Sequence, residues 1–355
     1  MSAGGPANLN KTMVNNAHTP MAINRGQLPG VPKALKESLA HSWDAFAEAS
    51  SEAGLSLPRN PDFAASLLRV WACSDFASDA CVQNPEILHG LLERGDLLAD
   101  YAAGEYDRKL AAALRRVGDE MELGDALRDF RKREMLRIAW RDLAGWAGLD
   151  EVLRDLSDLA DACIAGALKQ LDRWAASEYG SGKRRPKSSL VVLGMGKLGA
   201  HELNFSSDID LIFAYPDLER RWPSADISIE EFHLQLGRQL IHALDNVTDR
   251  GFVYRVDMRL RPYGDSGPLV ASFDAMADYY QLQGREWERY AMIKARPVAG
   301  PVAASRELME LLRPFVYRRY LDFGAFESLR NLKEQIVREV ERKGMQDNIK
   351  LGPGG

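Results

Sequence analysis

The stretch "VVLGMGKLGAHELNFSSDID", residues 191–210, decides between two folds. Gly194, Gly196 and Gly199 have the spacing G-x-G-x-x-G, and an apolar run precedes them. In dinucleotide-binding folds such a turn joins a strand to a full helix, whose first turn binds the pyrophosphate. The pattern raises the hypothesis of an NAD or FAD site, in which Asp217 would hold the ribose.

The residues after the glycines argue against that fold. A Rossmann βαβ unit needs about 30 residues, whereas Asp208, where the next strand begins, lies only nine positions after Gly199. The intervening "NFSSD" favours turns and caps, so any helix here has barely two turns. A Rossmann oxidoreductase therefore stays only as the alternative, and micromolar NAD or NADP binding that is insensitive to Asp208→Asn would favour it.

Two carboxylates stand at the start of the following strand, "IDLIFAYP". Asp208 and Asp210 are two positions apart, so strand alternation puts both on one face. Turn acids that cap the strand are one explanation. A Mg²⁺ site is the other, because Mg²⁺ prefers carboxylate and phosphate oxygens.

Three further features favour the metal. Asp257 lies in "FVYRVDMRLRPYG", predicted as a third strand, and it would join the acidic pair if that strand ran antiparallel beside the second. Arg259 and Arg261 share its predicted face and could neutralise or orient phosphate, with surface ion pairs as the alternative. The remaining candidates supply backbone N–H groups or hydroxyls for phosphate oxygens, and they are Gly194, Gly196, Ser206 and Ser207.

Composition limits the function classes. The net charge of −5 over 355 residues argues against a general nucleic-acid binder. Three cysteines without a C-x-x-C pair make a zinc site and a disulfide framework poor explanations. The sequence contains no apolar run long enough to span a membrane and no signal-peptide core.

Composition and hydrophobic periodicity divide the chain into five segments. Residues 1–33 are predicted as a disordered tail, 34–179 as helical, 180–188 as a linker, 189–300 as the catalytic domain and 301–355 as the start of a following helical region that is cut short. Within the second segment, "GDALRDFRKREMLRIAWRDLAGWAG" carries many cations, which we interpret as a solvated or ion-paired helix face rather than a site for an acidic partner. Further helices are predicted over 228–247, starting with a Ser228–Glu231 capping box, over 273–295 and over 304–343.

The order of glycine turn, Ser-Ser, Asp-x-Asp and a later Asp resembles the DNA polymerase β-like nucleotidyltransferases. The longer stretches "GMGKLGAHELNFSSDIDLIF" and "YRVDMRLRPYGDSGPL" are similar to the bifunctional glutamine synthetase adenylyltransferase/adenylyl-removing family. So are "REMLRIAWRDLAG", "WERYAMIKARPVAG" and the terminal "GMQDNIKLGPGG". The resemblance covers residues 34–355 and implies an α+β fold, in which a small mixed or antiparallel sheet is flanked by helical regions.

The resemblance also implies a function. One acidic motif behind a long helical region is similar to the N-terminal half of that family, which removes AMP from a tyrosine of glutamine synthetase by phosphorolysis. It implies Mg²⁺ at Asp208, Asp210 and Asp257, nucleotide and inorganic phosphate as reactants, control by a PII signalling protein, and a bacterial cytoplasmic setting. Lys294 and Arg296 are weaker candidates, and His201 is expected to be structural. A non-catalytic binding module is the third hypothesis, although it would not need an acidic triad.

Overall fold

The computed structural model describes residues 32–56, 61–179, 188–217, 227–317 and 323–345. Residues 1–31 of the predicted N-terminal tail, residues 180–187 of the predicted linker and the terminal "QDNIKLGPGG" lie outside these residues, and Lys33 at the end of the predicted tail already belongs to a helix. The described chain folds into two compact units. The first comprises the residues up to Ala167 with His201–Ser207 and Ala243–Val253, and the second comprises Leu168–Ala200, Asp208–His242 and the residues from Tyr254 onward.

Helices account for the first part of the chain, as the apolar periodicity predicts. Their bounds are α1 Lys33–Glu52, α2 Pro61–Cys73, α3 Asp75–Gln83, α4 Pro85–Glu93, α5 Glu105–Ala113, α6 Glu120–Leu143 and α7 Leu149–Glu178. In the first unit the rings of Phe46 and Trp71 pack edge to face at 5.5 Å, and those of Phe63 and Trp140 stack at 5.7 Å. These buried aromatic side chains form the centre of its core.

The second unit contains the sheet. Its elements are β1 Val191–Gly194, α8 Gly196–Gly199, β2 Ile209–Tyr215, α9 Ile229–Asp245, β3 Val256–Asp257, β4 Val270–Ser272, α10 Phe273–Leu282, α11 Glu286–Met292, β5 Arg296–Ala299, α12 Val302–Val316 and α13 Phe323–Arg342. Strand β1 is antiparallel to both β2 and β5. Strands β3 and β4 are parallel to β2, β3 at its first two residues and β4 at its last three. The mixed sheet agrees with the predicted α+β class.

Helices cover both faces of this sheet. Val191, Leu193 and Ile212 share a core with residues of α10 and α12. Against the other face, α9 approaches so closely that a Cβ on Gly237 would lie 3.1 Å from the Phe213 ring. The chain segments of the acidic motif are therefore fixed by a packed sheet.

Two predicted elements were wrong in extent. The third strand is two residues long, because the chain turns at Met258, whose carbonyl accepts from the Arg261 N–H. The helix predicted over 273–295 is interrupted around Gly284, where a Cβ would lie 2.5 Å from the ring of Phe315. The helix predicted over 304–343 is present as α12 and α13. No helix in the described parts of the chain is long and apolar enough to cross a bilayer.

Candidate active site

The parallel pairing of β2 and β3 brings two acidic residues to neighbouring positions. Asp210 and Asp257 are register partners, and the Ile209 N–H donates to the Arg255 carbonyl at 3.0 Å. Side chains at paired positions of adjacent strands leave the sheet on the same face. Asp257 thus lies beside Asp210 on the neighbouring strand, as predicted. The predicted antiparallel direction of these two strands was wrong, because they are parallel. The long connection through α9 returns the chain to the same end of the sheet, which makes the parallel direction possible.

Arginines hold two of the three carboxylates. Arg255 Nε lies 2.5 Å from Asp208 Oδ1. Asp257 accepts from the Arg259 backbone N–H at 2.9 Å and from its guanidinium at 2.5–3.1 Å. These hydrogen bonds hold the pKa of Asp257 below its ordinary value, so this carboxylate is ionised at neutral pH. Both arginine side chains are largely exposed.

The glycine turn contacts the acidic strand through Gly196. The Met195 N–H donates to the Asp210 carbonyl at 2.9 Å, which fixes the turn beside β2. Gly196 has a left-handed φ of 53°, and a Cβ there would lie 3.0 Å from Asp210 Oδ2. The missing side chain therefore lets the backbone of the glycine turn approach this carboxylate closely. A Cβ on Gly194 would instead meet Val298 at 2.7 Å, so packing requires that glycine.

The two serines precede Asp208 in a tight turn. The Ser207 N–H donates to the Asn204 carbonyl at 3.1 Å, and its hydroxyl hydrogen bonds with the Asn204 side chain. Ser206 lies inside this turn. The serine pair therefore closes the segment that leads into β2, and its predicted contact with phosphate stays a prediction.

The other predicted cations hold backbone in place. Arg261 donates to the carbonyls of Met258 at 2.9 Å and Asp265 at 3.3 Å. Arg296, at the start of β5, donates to the carbonyls of Gly199 at 3.2 Å and Leu198 at 3.0 Å. Arg296 thus caps the end of the glycine turn. The sequence signal for this role was weak, because 97 positions separate Arg296 from Gly199.

The dinucleotide hypothesis fails on geometry. The helix after the glycines, α8, has four residues, and β1 and β2 are antiparallel where a Rossmann unit is parallel. Asp217, the candidate ribose ligand, accepts from the Asp274 N–H at 3.0 Å and so caps α10.

A second group of possible metal ligands lies in the first unit. Among the described residues, Asp158, Asp161 and His201 are the one group of three whose ligand atoms all lie within 4.8 Å of one another. His201 Nδ1 is 3.7 Å from Asp158 Oδ1. Sequence reasoning missed this group because only the fold brings His201 to α7. The carboxylates of Asp208, Asp210 and Asp257, which are also among the described residues, do not form such a group.

Comparison with known proteins identifies the family of this chain. The family described as glutamate-ammonia ligase adenylyltransferase matches residues 64–310. The chain is 52% identical over 330 residues to the bifunctional glutamine synthetase adenylyltransferase/adenylyl-removing enzyme of Nitrosococcus oceani, covering 92% of this chain and 34% of that protein. The protein of the same description from Pseudomonas aeruginosa is 55% identical over 291 residues, covering 81% of this chain and 30% of that one. The chain thus spans about a third of the length of these relatives. It belongs to the glutamate-ammonia ligase adenylyltransferase family.

Proposed function

We propose that this chain removes AMP from an adenylylated tyrosine of glutamine synthetase by Mg²⁺-dependent phosphorolysis. The observation that carries the proposal is the placement of Asp210 and Asp257 as register partners, with the glycine turn at Gly196 lying against Asp210 Oδ2. The names of these relatives contain both the adenylylating and the adenylyl-removing activity. The removing direction is supported by a single acidic motif that follows a long helical region.

The reaction balances without a redox partner. An oxygen of inorganic phosphate attacks the phosphorus of the tyrosyl-AMP diester, and the bond from that phosphorus to the tyrosine oxygen breaks. The phosphate becomes the β-phosphate of ADP, and the tyrosine oxygen takes up a proton. Because phosphate is already an anion, no histidine is needed as a general base.

The acidic residues fit a magnesium ion. Three carboxylates offer the hard oxygen ligands that Mg²⁺ prefers, and a Cβ on Gly196 would fill the space beside Asp210 Oδ2. Arg255 and Arg259 compete for the other two carboxylates, but exposed ion pairs are weak and readily exchanged. When bound, the metal neutralises charge on the phosphoryl oxygens. The released guanidiniums would then lie beside the anionic reactants, where they can orient phosphate.

The test is the identity of the product. With adenylylated glutamine synthetase, phosphate and Mg²⁺, the chain should release ADP. Asp210→Asn should lower this rate by more than about 100-fold, since metal coordination contributes several kcal/mol to such transition states. Asp278→Asn removes an exposed carboxylate on α10 of the same unit and should keep the wild-type rate.

Two outcomes would contradict the proposal. A wild-type rate for Asp210→Asn would show that the acidic residues do not hold a catalytic metal. Release of pyrophosphate from ATP with unmodified glutamine synthetase, without ADP formation in the first assay, would show that this unit works in the adenylylating direction. Control by a PII protein and a cytoplasmic setting are proposed on the resemblance alone.

A further inference from the structure

The loop that follows Asp257 stays close to the acidic strands. Two consecutive turns fold it, since the Arg261 N–H donates to the Met258 carbonyl at 3.2 Å and the Gly264 N–H to the Arg261 carbonyl at 2.8 Å. The first and fourth Cα atoms of such a turn lie within about 7 Å of each other. The loop therefore projects a short distance beyond β3, and Tyr263 lies in its second turn.

Tyr263 has an unusual backbone conformation. Its φ is 61°, in the left-handed region that a bulky residue rarely adopts. Backbone of this kind persists where surrounding contacts impose it, and it is concentrated at ligand sites. The residue is 49% exposed. A strained position thus presents an aromatic side chain to solvent, where a glycine or asparagine would fit the backbone better.

Helix α10 holds the ring in place. The Tyr263 and Tyr279 rings meet edge to face with centroids 4.5 Å apart, and Gln283 Nε2 donates to the Tyr263 hydroxyl at 3.1 Å. Tyr279 in turn donates its hydroxyl to the buried Glu288 at 2.7 Å. Glu288 also accepts from the Arg285 N–H at 2.8 Å and so closes the start of α11. Contacts to Tyr279 of α10 and to Gln283 at its C-terminal end therefore hold this partly exposed ring.

We propose that Tyr263 is the platform on which the purine base of the nucleotide stacks. A planar aromatic side chain that is partly exposed and held by its neighbours provides the sequence-tolerant stacking surface that a nucleobase uses. Arg259 and Arg261 lie between Tyr263 and Asp257 along the loop, so the cationic stretch separates the aromatic ring from the carboxylates. This order matches a nucleotide, with its phosphate at the acids and its base at the ring. The inference rests on the proposed function and adds to it the residue that recognises the base.

The experiment measures binding of ADP and of pyrophosphate, each with Mg²⁺, by calorimetry on the full chain. Tyr263→Asn removes the ring while keeping a residue that tolerates the left-handed backbone, so it should fold. We expect its Kd for ADP to rise about 5-fold to 100-fold, the range for loss of one stacked base. Its Kd for pyrophosphate should stay unchanged. Tyr263→Phe should keep most of the ADP affinity, and Tyr290→Asn, which removes an exposed ring from α11, should keep all of it.

The outcomes separate this inference from the proposed function. If Asp210→Asn weakens both ligands while Tyr263→Asn binds ADP like the wild type, the stacking role is wrong and the metal site stands. If Tyr263→Asn loses affinity for both ligands equally, the ring acts on the phosphates or on the fold of the loop, and the stacking role is again wrong. If Asp210→Asn changes neither affinity, the proposed metal site fails, whatever Tyr263 does. An unchanged ADP affinity with a raised KM for the adenylylated protein would place the ring against the substrate protein and overturn the inference.

Discussion

Gly199 has no space for a side chain. A Cβ there would lie 1.9 Å from the Lys294 carbonyl oxygen and 2.5 Å from the Gly194 carbonyl oxygen, and both are backbone atoms. Neither can move without displacing β1 or the segment before β5. The third glycine of the motif is therefore required by close packing. Packing alone thus accounts for a glycine that completes the G-x-G-x-x-G spacing in a fold without a dinucleotide site.

Gly199→Ala should lower the free energy of unfolding by at least about 3 kcal/mol, the upper range for an overpacked site. Urea denaturation followed by circular dichroism measures this. Gly90→Ala is the matched control, because Gly90 lies inside α4 and a Cβ there would have nothing within 4 Å. Alanine is the better helix former, so this variant should be as stable as the wild type or more stable. Equal stability of Gly199→Ala and wild type would contradict the packing role.

A neutral histidine on α9 contacts both the segment before β1 and the last residue of β2. His233 is fully buried and stacks on Tyr215 at 4.6 Å. Its Nδ1 is 2.8 Å from the Ile229 carbonyl, and its Nε2 accepts from the Ser189 N–H at 3.2 Å. These contacts require a proton on Nδ1 and none on Nε2. Burial lowers the pKa of His233 from 6.5 to about 4.

This shift predicts a loss of stability in mild acid. Below pH 6.5 the unfolded chain binds a proton at His233 that the folded chain does not bind until about pH 4. The free energy of unfolding should therefore fall by about 2 kcal/mol between pH 7 and pH 5 from this group alone. Urea titrations at both pH values measure the change. His233→Asn should flatten this dependence, and His242→Asn, on the exposed face of the same helix, should keep it. An unaltered pH dependence in His233→Asn would refute the assignment.

The first unit contains a network of buried charged side chains. Arg137 on α6 is fully buried and donates to Asp155 at 2.8 Å, to the Asp96 carbonyl at 2.9 Å and to the Tyr106 hydroxyl at 3.1 Å. Its guanidinium also lies 3.5 Å from the centre of the Tyr101 ring. The cation-rich sequence of α6 predicted a solvated or ion-paired face. The ion pairs are present, but Arg128, Arg137 and Arg141 are buried, so solvation was wrong for them.

Arg137→Met should therefore destabilise the first unit by roughly 3–5 kcal/mol, because it leaves Asp155 buried without its main partner. Hydrogen exchange of peptides from α5 and α6 should accelerate accordingly. Arg108→Met provides the control, since Arg108 forms an exposed pair with Glu105 and its loss should not change the exchange measurably. Unchanged protection in Arg137→Met would show that the buried network contributes nothing to stability.

Local patterns in the sequence were enough to predict local structure. They predicted the helical first part, strand β2 and the cap at Ser228, whose hydroxyl accepts from the Glu231 N–H at 3.1 Å. These follow from periodicity, turn residues and capping, which act between positions a few residues apart.

Contacts between residues far apart in the chain could be seen only in the folded protein. The parallel pairing of Asp210 with Asp257, the cap that Arg296 forms on α8, and the support of the Tyr263 ring by α10 all join segments that no local pattern relates. The length of β3 belongs with them, because the turn at Met258 ends a stretch whose alternation of polar and apolar residues would suit a longer strand. Such contacts depend on how the whole sheet and its helices pack, and packing depends on shape and volume across the unit rather than on neighbours along the chain.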